Sequence, residues 1–215
     1  MKLFTYFRSS SAYRVRIALN LKGIVPEEQY THLTRDGGQQ HSAEYRRMNP
    51  QELVPTLIDG EHTLTQSLAI IEYLDETHPE PPLLPPDAAG RARVRSLALA
   101  IACDIHPIDN LRVLRYLVRV LKVDEEAKNT WYRYWIELGL GALEMRLASE
   151  RETGRFCHGD APTLADCCLV PQMFNARRFA VDMAPYPTLQ RIEAECNALP
   201  AFDDAAPERQ ADAES

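Results

Sequence analysis

The sequence has little glycine, no long apolar run and no excess of positive charge. Nine of its 215 residues are glycine, and its fifteen prolines form no tract, which excludes collagen-like and proline-rich disordered chains. No run approaches the roughly eighteen apolar residues of a transmembrane helix, and the N-terminus lacks the apolar core of a secretory signal. The formal net charge of −7 would repel a phosphate backbone, which argues against nucleic acid as a partner.

The five cysteines are odd in number and show no spacing typical of a disulfide framework. There is no C-x-x-C pair, which excludes dithiol redox chemistry of the thioredoxin type. The cysteines and histidines do not supply four ligands at zinc spacings, so we predict no metal site. Together these features indicate reduced thiols in a cytoplasmic protein.

Two different patterns follow one another along the chain. Residues 1–80 mix short strand signals with helical ones and include an Asp59-Gly60 hairpin signal. Five prolines between positions 79 and 86 then interrupt all regular structure. Beyond them the apolar residues recur at helical spacing, with Pro107 as an expected kink and a C-terminal stretch from Ala205 that we expect to fray. The sequence predicts an α/β domain at 1–80 and an all-α domain at 88–212.

A cluster of hydroxyl groups, Arg8-Ser9-Ser10-Ser11, stands between the first strand and the first helix. Serine is a preferred N-cap residue, so these hydroxyls can simply cap the helix. The same position presents free N–H groups and the positive end of the helix dipole, which stabilise an anion such as a thiolate. From the spacing alone both interpretations stand, and capping is the more common of the two.

Four blocks of sequence, in order along the chain, resemble the zeta-class glutathione transferases. The first is the Tyr6-to-Leu19 stretch, with Arg14-Val15-Arg16 behind the serines, and the second is Leu53 to Leu57 followed by Gln66 to Ile70. The third is residues 103–112, and the fourth is residues 162–166 together with residues 170–179. The resemblance implies a thioredoxin-like domain that binds glutathione, followed by a helical domain.

The resemblance also implies roles in the first domain. Ser9 would donate a hydrogen bond to the glutathione sulfur, in a catalytic group that includes Arg8, Ser10 and Ser11. Ser11 stands at the family's usual cysteine position. Pro55 would be cis and would turn the Val54 backbone toward the cysteinyl part of glutathione. The start of the next helix would hold the γ-glutamyl carboxylate, through Gln66 and Ser67.

In the second domain the resemblance assigns His106, Asp109 and Asn110 to the glycyl end of glutathione. His106 and Asn110 are four residues apart, so on a continuous helix they would share one face. A lone helical histidine is more often structural or solvated, and that alternative remains open.

Three arginines from distant segments, Arg8, Arg112 and Arg178, are assigned by the resemblance to the carboxylates of a substrate. The fixed fork of donors on a guanidinium suits carboxylates better than an ammonium does. The alternative, strongest for Arg112, is a solvated helix face. Arg14 and Arg16 lie inside the first helix, where we expect structural pairing with acidic residues of the helical domain.

The activity implied is the glutathione-dependent cis–trans isomerisation of maleylacetoacetate or maleylpyruvate during aromatic catabolism, in a homodimer. Reversible addition of the glutathione thiolate removes the double bond long enough for rotation, so glutathione is a cofactor. The serine at position 11, where the family usually has cysteine, slightly favours maleylpyruvate over maleylacetoacetate as the substrate. Two alternatives are a general transferase acting on small anionic electrophiles or haloacids, and a non-catalytic module that retains the fold.

Overall fold

A computed structural model describes residues 1–214 of the chain. Its contacts divide the chain into two compact units. The first unit contains Met1–Leu83 together with the chain from Asn197 onward, and the second is Leu84–Cys196. The sequence placed the chain up to residue 212 in the helical domain, whereas the last segment packs with the N-terminal unit.

A four-stranded mixed sheet forms the centre of the first unit, with the order β2-β1-β3-β4. Its strands are β1 (Lys2–Thr5), β2 (Glu27–Tyr30), β3 (Thr56–Asp59) and β4 (His62–Thr65). β1 runs parallel to β2 and antiparallel to β3. The predicted hairpin is confirmed, because β3 and β4 pair antiparallel with Asp59 opposite His62. This topology confirms the predicted thioredoxin-like α/β domain.

Nine α-helices surround or follow this sheet within residues 1–214. They are α1 (Ser10–Leu21), α2 (Ala43–Met48), α3 (Ser67–Thr77), α4 (Ala88–Leu99), α5 (Leu111–Arg119), α6 (Glu125–Ser149), α7 (Leu164–Arg178), α8 (Pro187–Asn197) and α9 (Pro200–Asp203). In the first unit α1 packs against α3, and both bury apolar side chains such as Ile17 and Ile70. The expected all-α architecture is present in the second unit. No helix among the described residues is long and apolar enough to cross a membrane.

The C-terminal segment is packed on the first unit, so the expectation that it frays from Ala205 is wrong over residues 205–214. Phe202 and Ala205 are buried, and α9 packs against α1. The Ala205 carbonyl accepts a hydrogen bond from Nε of Arg16 at 3.0 Å. Because Arg16 is itself buried, this bond satisfies a donor that water cannot reach. Ser215 lies outside the described residues.

The second unit departs from the expected single kinked helix around Pro107. α4 continues into a π-helical segment, Ala100–Ile105, and ordinary helical structure resumes only at Leu111. α6 approaches the π-helical segment closely at Gly139, where an added Cβ would lie 2.3 Å from the side chain of Ile105. The absence of a side chain at position 139 therefore permits this contact.

A capping box formed by Thr163 and Asp166 begins α7. The Asp166 carboxylate is fully buried. It accepts hydrogen bonds from the backbone N–H groups of Thr163 and Cys157, each at 2.8 Å. It thereby fixes the buried helix start and the preceding loop together.

Candidate active site

The serine cluster forms a directed chain of hydrogen bonds at the start of α1. Ser9 is the N-cap, and its Oγ accepts a hydrogen bond from the Ala12 N–H at 3.2 Å. Its Oγ also lies 3.1 Å from that of Ser11, which donates to the Val54 carbonyl at 3.0 Å. Since the single Ser11 proton goes to Val54, Ser9 must be the donor between the two serines. Ser9 therefore caps the helix and also carries a proton that it can redirect.

The Val54–Pro55 peptide bond is cis, as the resemblance implied. Both residues are buried. The carbonyl of the preceding Leu53 accepts hydrogen bonds from the Tyr45 hydroxyl at 2.6 Å and from the Asn49 amide at 2.8 Å. These contacts and the Ser11 bond fix the backbone on each side of Val54.

The start of α3 differs from the serine-capped starts of α1 and α2. Its N-cap, Gln66, has a φ of +70° and makes no side-chain capping bond to the helix. A non-glycine residue in this region costs free energy that the surroundings must offset. The Gln66 amide donates instead to Oε1 of Gln51 at 2.8 Å. The first-turn N–H groups of α3 thus lack a side-chain cap, which suits a carboxylate ligand.

Ser67, the first residue of α3, is buried. Its Oγ accepts a hydrogen bond from Nη1 of Arg14 at 3.3 Å. Arg14 therefore links the interior of α1 to the start of α3. The expectation that Arg16 pairs with carboxylates is wrong, because its direct partners are the Thr5 hydroxyl and three backbone carbonyls. Burial lowers the pKa of Arg16 to about 10, and those oxygens compensate for part of its lost hydration.

Arg8 is exposed beside the serines. Its guanidinium lies over the ring of Phe7, with 4.9 Å between Cζ and the ring centroid. One of its terminal nitrogens lies 3.9 Å from a carboxylate oxygen of Glu214. This position leaves most of its donor edge accessible to a ligand.

In the helical unit, His106, Asp109 and Asn110 do not share a helical face. His106 follows the π-helical segment, and Asn110 is the N-cap of α5. The Asn110 side-chain oxygen accepts a hydrogen bond from the Arg112 N–H at 3.1 Å. The three residues and Arg112 therefore lie on one turn and on the helix start that follows it, and the inference from a four-residue spacing was wrong.

Asp109 is the buried member of this turn, at 5% exposure. Neither carboxyl oxygen has a hydrogen-bond partner among the described residues. Burial raises the pKa of Asp109 from 3.8 to about 8, because an unpaired carboxylate is costly away from water. The turn itself is fixed to α6 by the Trp131 indole, which donates to the Ile108 carbonyl at 3.3 Å.

Arg178 is the last residue of α7 and is exposed. Its guanidinium Cζ lies 4.8 Å from the ring centroid of Phe179, and that ring stacks on Tyr132 at 3.6 Å. Burial raises the pKa of Tyr132 to about 12, with a small further rise from the charge of Asp109, whereas the Asn175 hydrogen bond and the Arg178 charge oppose it. Tyr132 therefore interacts electrostatically with both Asp109 and Arg178, two of the candidate ligand-binding residues.

Comparison with known proteins gives one consistent family. Residues 3–82 match the model of the glutathione S-transferase N-terminal domain. A probable maleylacetoacetate isomerase from Vibrio cholerae is 58% identical, over 98% of this chain and 97% of its own length. A solved structure of a zeta-class bacterial glutathione transferase also matches over the whole chain. This chain belongs to the zeta class of glutathione transferases.

Two solved structures of relatives superpose on the whole chain. A bacterial zeta-class maleylpyruvate isomerase in its holo form has a TM-score of 0.96 and 48% identity, with complete coverage of both chains. A maleylacetoacetate isomerase from Methylobacterium extorquens, with malonate and glutathione bound, has a TM-score of 0.96 and 45% identity, also with complete coverage. Glutathione is thus the cofactor found in relatives of this transferase.

Sequence reasoning missed several residues that contact the candidate site. Gln51 accepts a hydrogen bond from Gln66, and Tyr132 stacks on Phe179, whose ring lies against Arg178, but neither carries a motif. Glu214 reaches Arg8 from 206 positions later in the chain, and no local pattern indicates such a pairing. Within residues 1–214, no group of three or more acidic, histidine or cysteine side chains could hold a metal ion.

Proposed function

We propose that this transferase is a glutathione-dependent cis–trans isomerase that converts maleylacetoacetate or maleylpyruvate to the fumaryl isomer in the breakdown of aromatic compounds. The observation that carries the proposal is the array at the start of α1. There an exposed arginine, a redirectable serine proton and the fixed Val54 backbone lie together. The names of the full-length relatives support the same reaction.

The residues of the first unit have the chemistry to bind the thiol and the γ-glutamyl carboxylate of glutathione. When bound, glutathione supplies a thiolate that adds reversibly to the cis double bond. Ser9 would donate to the sulfur, and the positive end of the α1 dipole would favour its ionised form. The uncapped start of α3, with Gln66 and Ser67, would hold the γ-glutamyl carboxylate. His106, Asp109 and Asn110 would bind the glycyl end, and Asp109 in its neutral form can donate a hydrogen bond to that carboxylate.

Ser11 would act on the site through Val54. Its hydroxyl holds the Val54 carbonyl at 3.0 Å and so fixes the backbone that pairs with the cysteinyl part of glutathione. Its oxygen also accepts a hydrogen bond from the Ser9 hydroxyl until a sulfur anion is present. A serine at this position would therefore position Ser9 and Val54 without placing an oxidisable thiol in the site.

The three arginines would recognise the substrate. Arg8, Arg112 and Arg178 are exposed, and each can bind a carboxylate through two parallel hydrogen bonds. Arginines beside the reacting carbon would also stabilise the negative charge that develops on the adjacent substrate oxygen. Three arginine side chains would favour a dianionic substrate over a neutral electrophile.

The test is the consumption of maleylpyruvate and maleylacetoacetate, followed by ultraviolet absorbance with and without glutathione. We expect conversion that requires glutathione. Arg178→Ala should reduce kcat/KM about 10- to 100-fold, the range for losing a charged hydrogen-bonding pair. Arg177→Ala is the matched control, because Arg177 is also exposed and its guanidinium donates instead to Glu193. Failure to turn over either acid would contradict the proposal.

The same arginines also suit small anionic electrophiles and haloacids, which keeps a general transferase as a second candidate. Conjugation of a haloacid with loss of glutathione thiol, at a rate above the isomerisation, would favour that candidate. A protein that binds no glutathione would instead be a non-catalytic use of the fold.

We also propose a homodimer that acts in the cytoplasm. The five cysteines are all free in the structure, and four are buried, which is compatible with a reducing compartment. Light scattering should give twice the mass of the chain, and a monomer at micromolar concentration would contradict the dimer.

A further inference from the structure

The C-terminal residues 211–214, here called the C-terminal strap, cross the loop that carries Arg8. The Asp212 carboxylate accepts a hydrogen bond from the Phe7 N–H at 3.0 Å. Ala213 packs against the buried cluster of Tyr6, Phe7, Tyr45 and Val54. These two contacts attach the strap to the rest of the first unit without involving the side chain of Glu214.

The Glu214 carboxylate is surrounded by cationic and hydrogen-bonding groups. Nη2 of Arg35 lies 2.7 Å from Oε1, and Nε2 of His32 lies 3.0 Å from the same oxygen. Nη2 of Arg8 lies 3.9 Å from Oε2. The His32 and Arg35 hydrogen bonds hold the pKa of Glu214 below its ordinary value. This is the donor set that a carboxylate ligand requires.

The tautomer of the His32 ring is fixed by the hydrogen bonds that Nδ1 accepts. Nδ1 accepts hydrogen bonds from the N–H groups of Thr34 and Arg35, at 3.2 and 2.9 Å. Because Nδ1 accepts these bonds, it carries no proton. The proton of the neutral ring is therefore on Nε2, and His32 donates to Glu214. The loop after β2 thus presents a fixed donor beside two arginines.

The charges in this cluster favour an anion beyond the one it holds. Two arginines face a single carboxylate, and Arg8 makes the longest of the contacts. A carboxylate from a ligand would therefore bind an Arg8 whose positive charge is already partly neutralised by Glu214. Because the strap is tethered, Glu214 competes at a high effective concentration.

We propose that Glu214 is a built-in competitor: a tethered carboxylate that occupies a site formed by Arg8 and Arg35 and weakens the binding of dicarboxylate ligands there. This inference rests on the proposed function, in which Arg8 binds a substrate carboxylate. It adds Arg35 and His32 to the groups that recognise the ligand, and it makes the C-terminal strap a determinant of affinity.

The test is the binding of malonate, a dicarboxylate that cannot isomerise, to the full-length glutathione-loaded protein by calorimetry. Glu214→Gln keeps the shape of the side chain and removes its charge. We expect malonate to bind about twofold to fivefold more tightly, the range for an exposed ion pair. Glu208→Gln is the matched control, an exposed glutamate of the same C-terminal segment, and should leave the affinity unchanged.

A second variant separates competition from a general change of charge. In an Arg35→Ala background, Glu214→Gln should give a smaller gain, because part of the shared site is gone. Unchanged or weaker malonate binding in Glu214→Gln would overturn the inference. Tighter binding in a protein that turns over neither maleyl acid would leave the inference standing and contradict only the proposed reaction.

Discussion

Ser9 caps α1, and we propose that the same hydroxyl donates a hydrogen bond to the glutathione sulfur. Its loss as an N-cap should cost about 1 kcal/mol of stability, and its loss as a donor to a sulfur anion should reduce activity further. We predict that Ser9→Ala lowers kcat/KM at least about tenfold, as expected for a charge-assisted hydrogen bond. Steady-state kinetics and thermal unfolding of the same sample measure the two effects.

Ser42→Ala provides the control for that variant. Ser42 caps α2 in the same way, by accepting a hydrogen bond from the Tyr45 N–H at 3.1 Å. It should lose similar stability and keep its activity. Equal activity losses in the two variants would mean that Ser9 acts only as a cap.

Asp109 should make stability depend on pH. Its pKa rises from 3.8 to about 8 in the folded protein, so the folded state binds this proton more tightly than the unfolded state does. The free energy of unfolding should therefore fall as pH rises through that window. Asp109→Asn removes the penalty, and its stability advantage over the wild type should be largest at pH 9 and shrink toward pH 4.

Urea unfolding at pH 5, 7 and 9 measures this difference. The exposed Asp104 lies on the preceding π-helical segment, so Asp104→Asn is the matched control for loss of a carboxyl near this turn. An Asp109→Asn difference that is independent of pH would show that the carboxyl is ionised or compensated in the folded state.

At the residue scale the sequence could place the local features and not the distant partners. Ser9 as a cap follows from its place directly before the helix, whereas cis Pro55 followed only from the family resemblance. The bond from Ser11 to Val54 spans 43 positions and needs the folded sheet. Arg16 was misassigned because buried carbonyls, which no sequence pattern marks, satisfy its donors.

At the scale of elements, the contact between α6 and the π-helical segment depends on Gly139. Gly139→Ala would place a Cβ 2.3 Å from Ile105 and should cost about 1–3 kcal/mol through overpacking. Gly141 lies on the same helix with nothing within 4 Å of an added Cβ. Gly141→Ala should instead stabilise by about 0.5–1 kcal/mol, because alanine favours helix. Chemical denaturation that gives the two variants the same sign would contradict this packing.

The elements also show where periodicity misleads. Apolar residues continue at helical spacing on both sides of Pro107, so the pattern suggests one kinked helix. The chain instead changes to a π-helical segment and turns before Asn110 caps α5. A hydrophobic stripe shows which side of a segment is buried, but it does not show a change in the hydrogen-bond register. For this reason the prediction that His106 and Asn110 share one helical face was wrong.

For the whole molecule, the first unit is completed by residues from the end of the chain. A chain truncated after Cys196 would lose buried Phe202 and the carbonyl that Arg16 uses. We predict that it loses cooperative unfolding of the N-terminal unit, whereas a chain truncated after Gln210 keeps it and lacks only the strap. Hydrogen exchange in β1 distinguishes the two, and equal protection in both chains would contradict the prediction.

The most direct measurement of the proposed reaction is a count of free thiol before and after complete conversion of maleylpyruvate. A cis–trans isomerase regenerates its glutathione, so the fumaryl product should accumulate with no loss of thiol and with substoichiometric glutathione sufficient. Loss of one thiol for each substrate consumed would show a conjugating transferase and would contradict the isomerase.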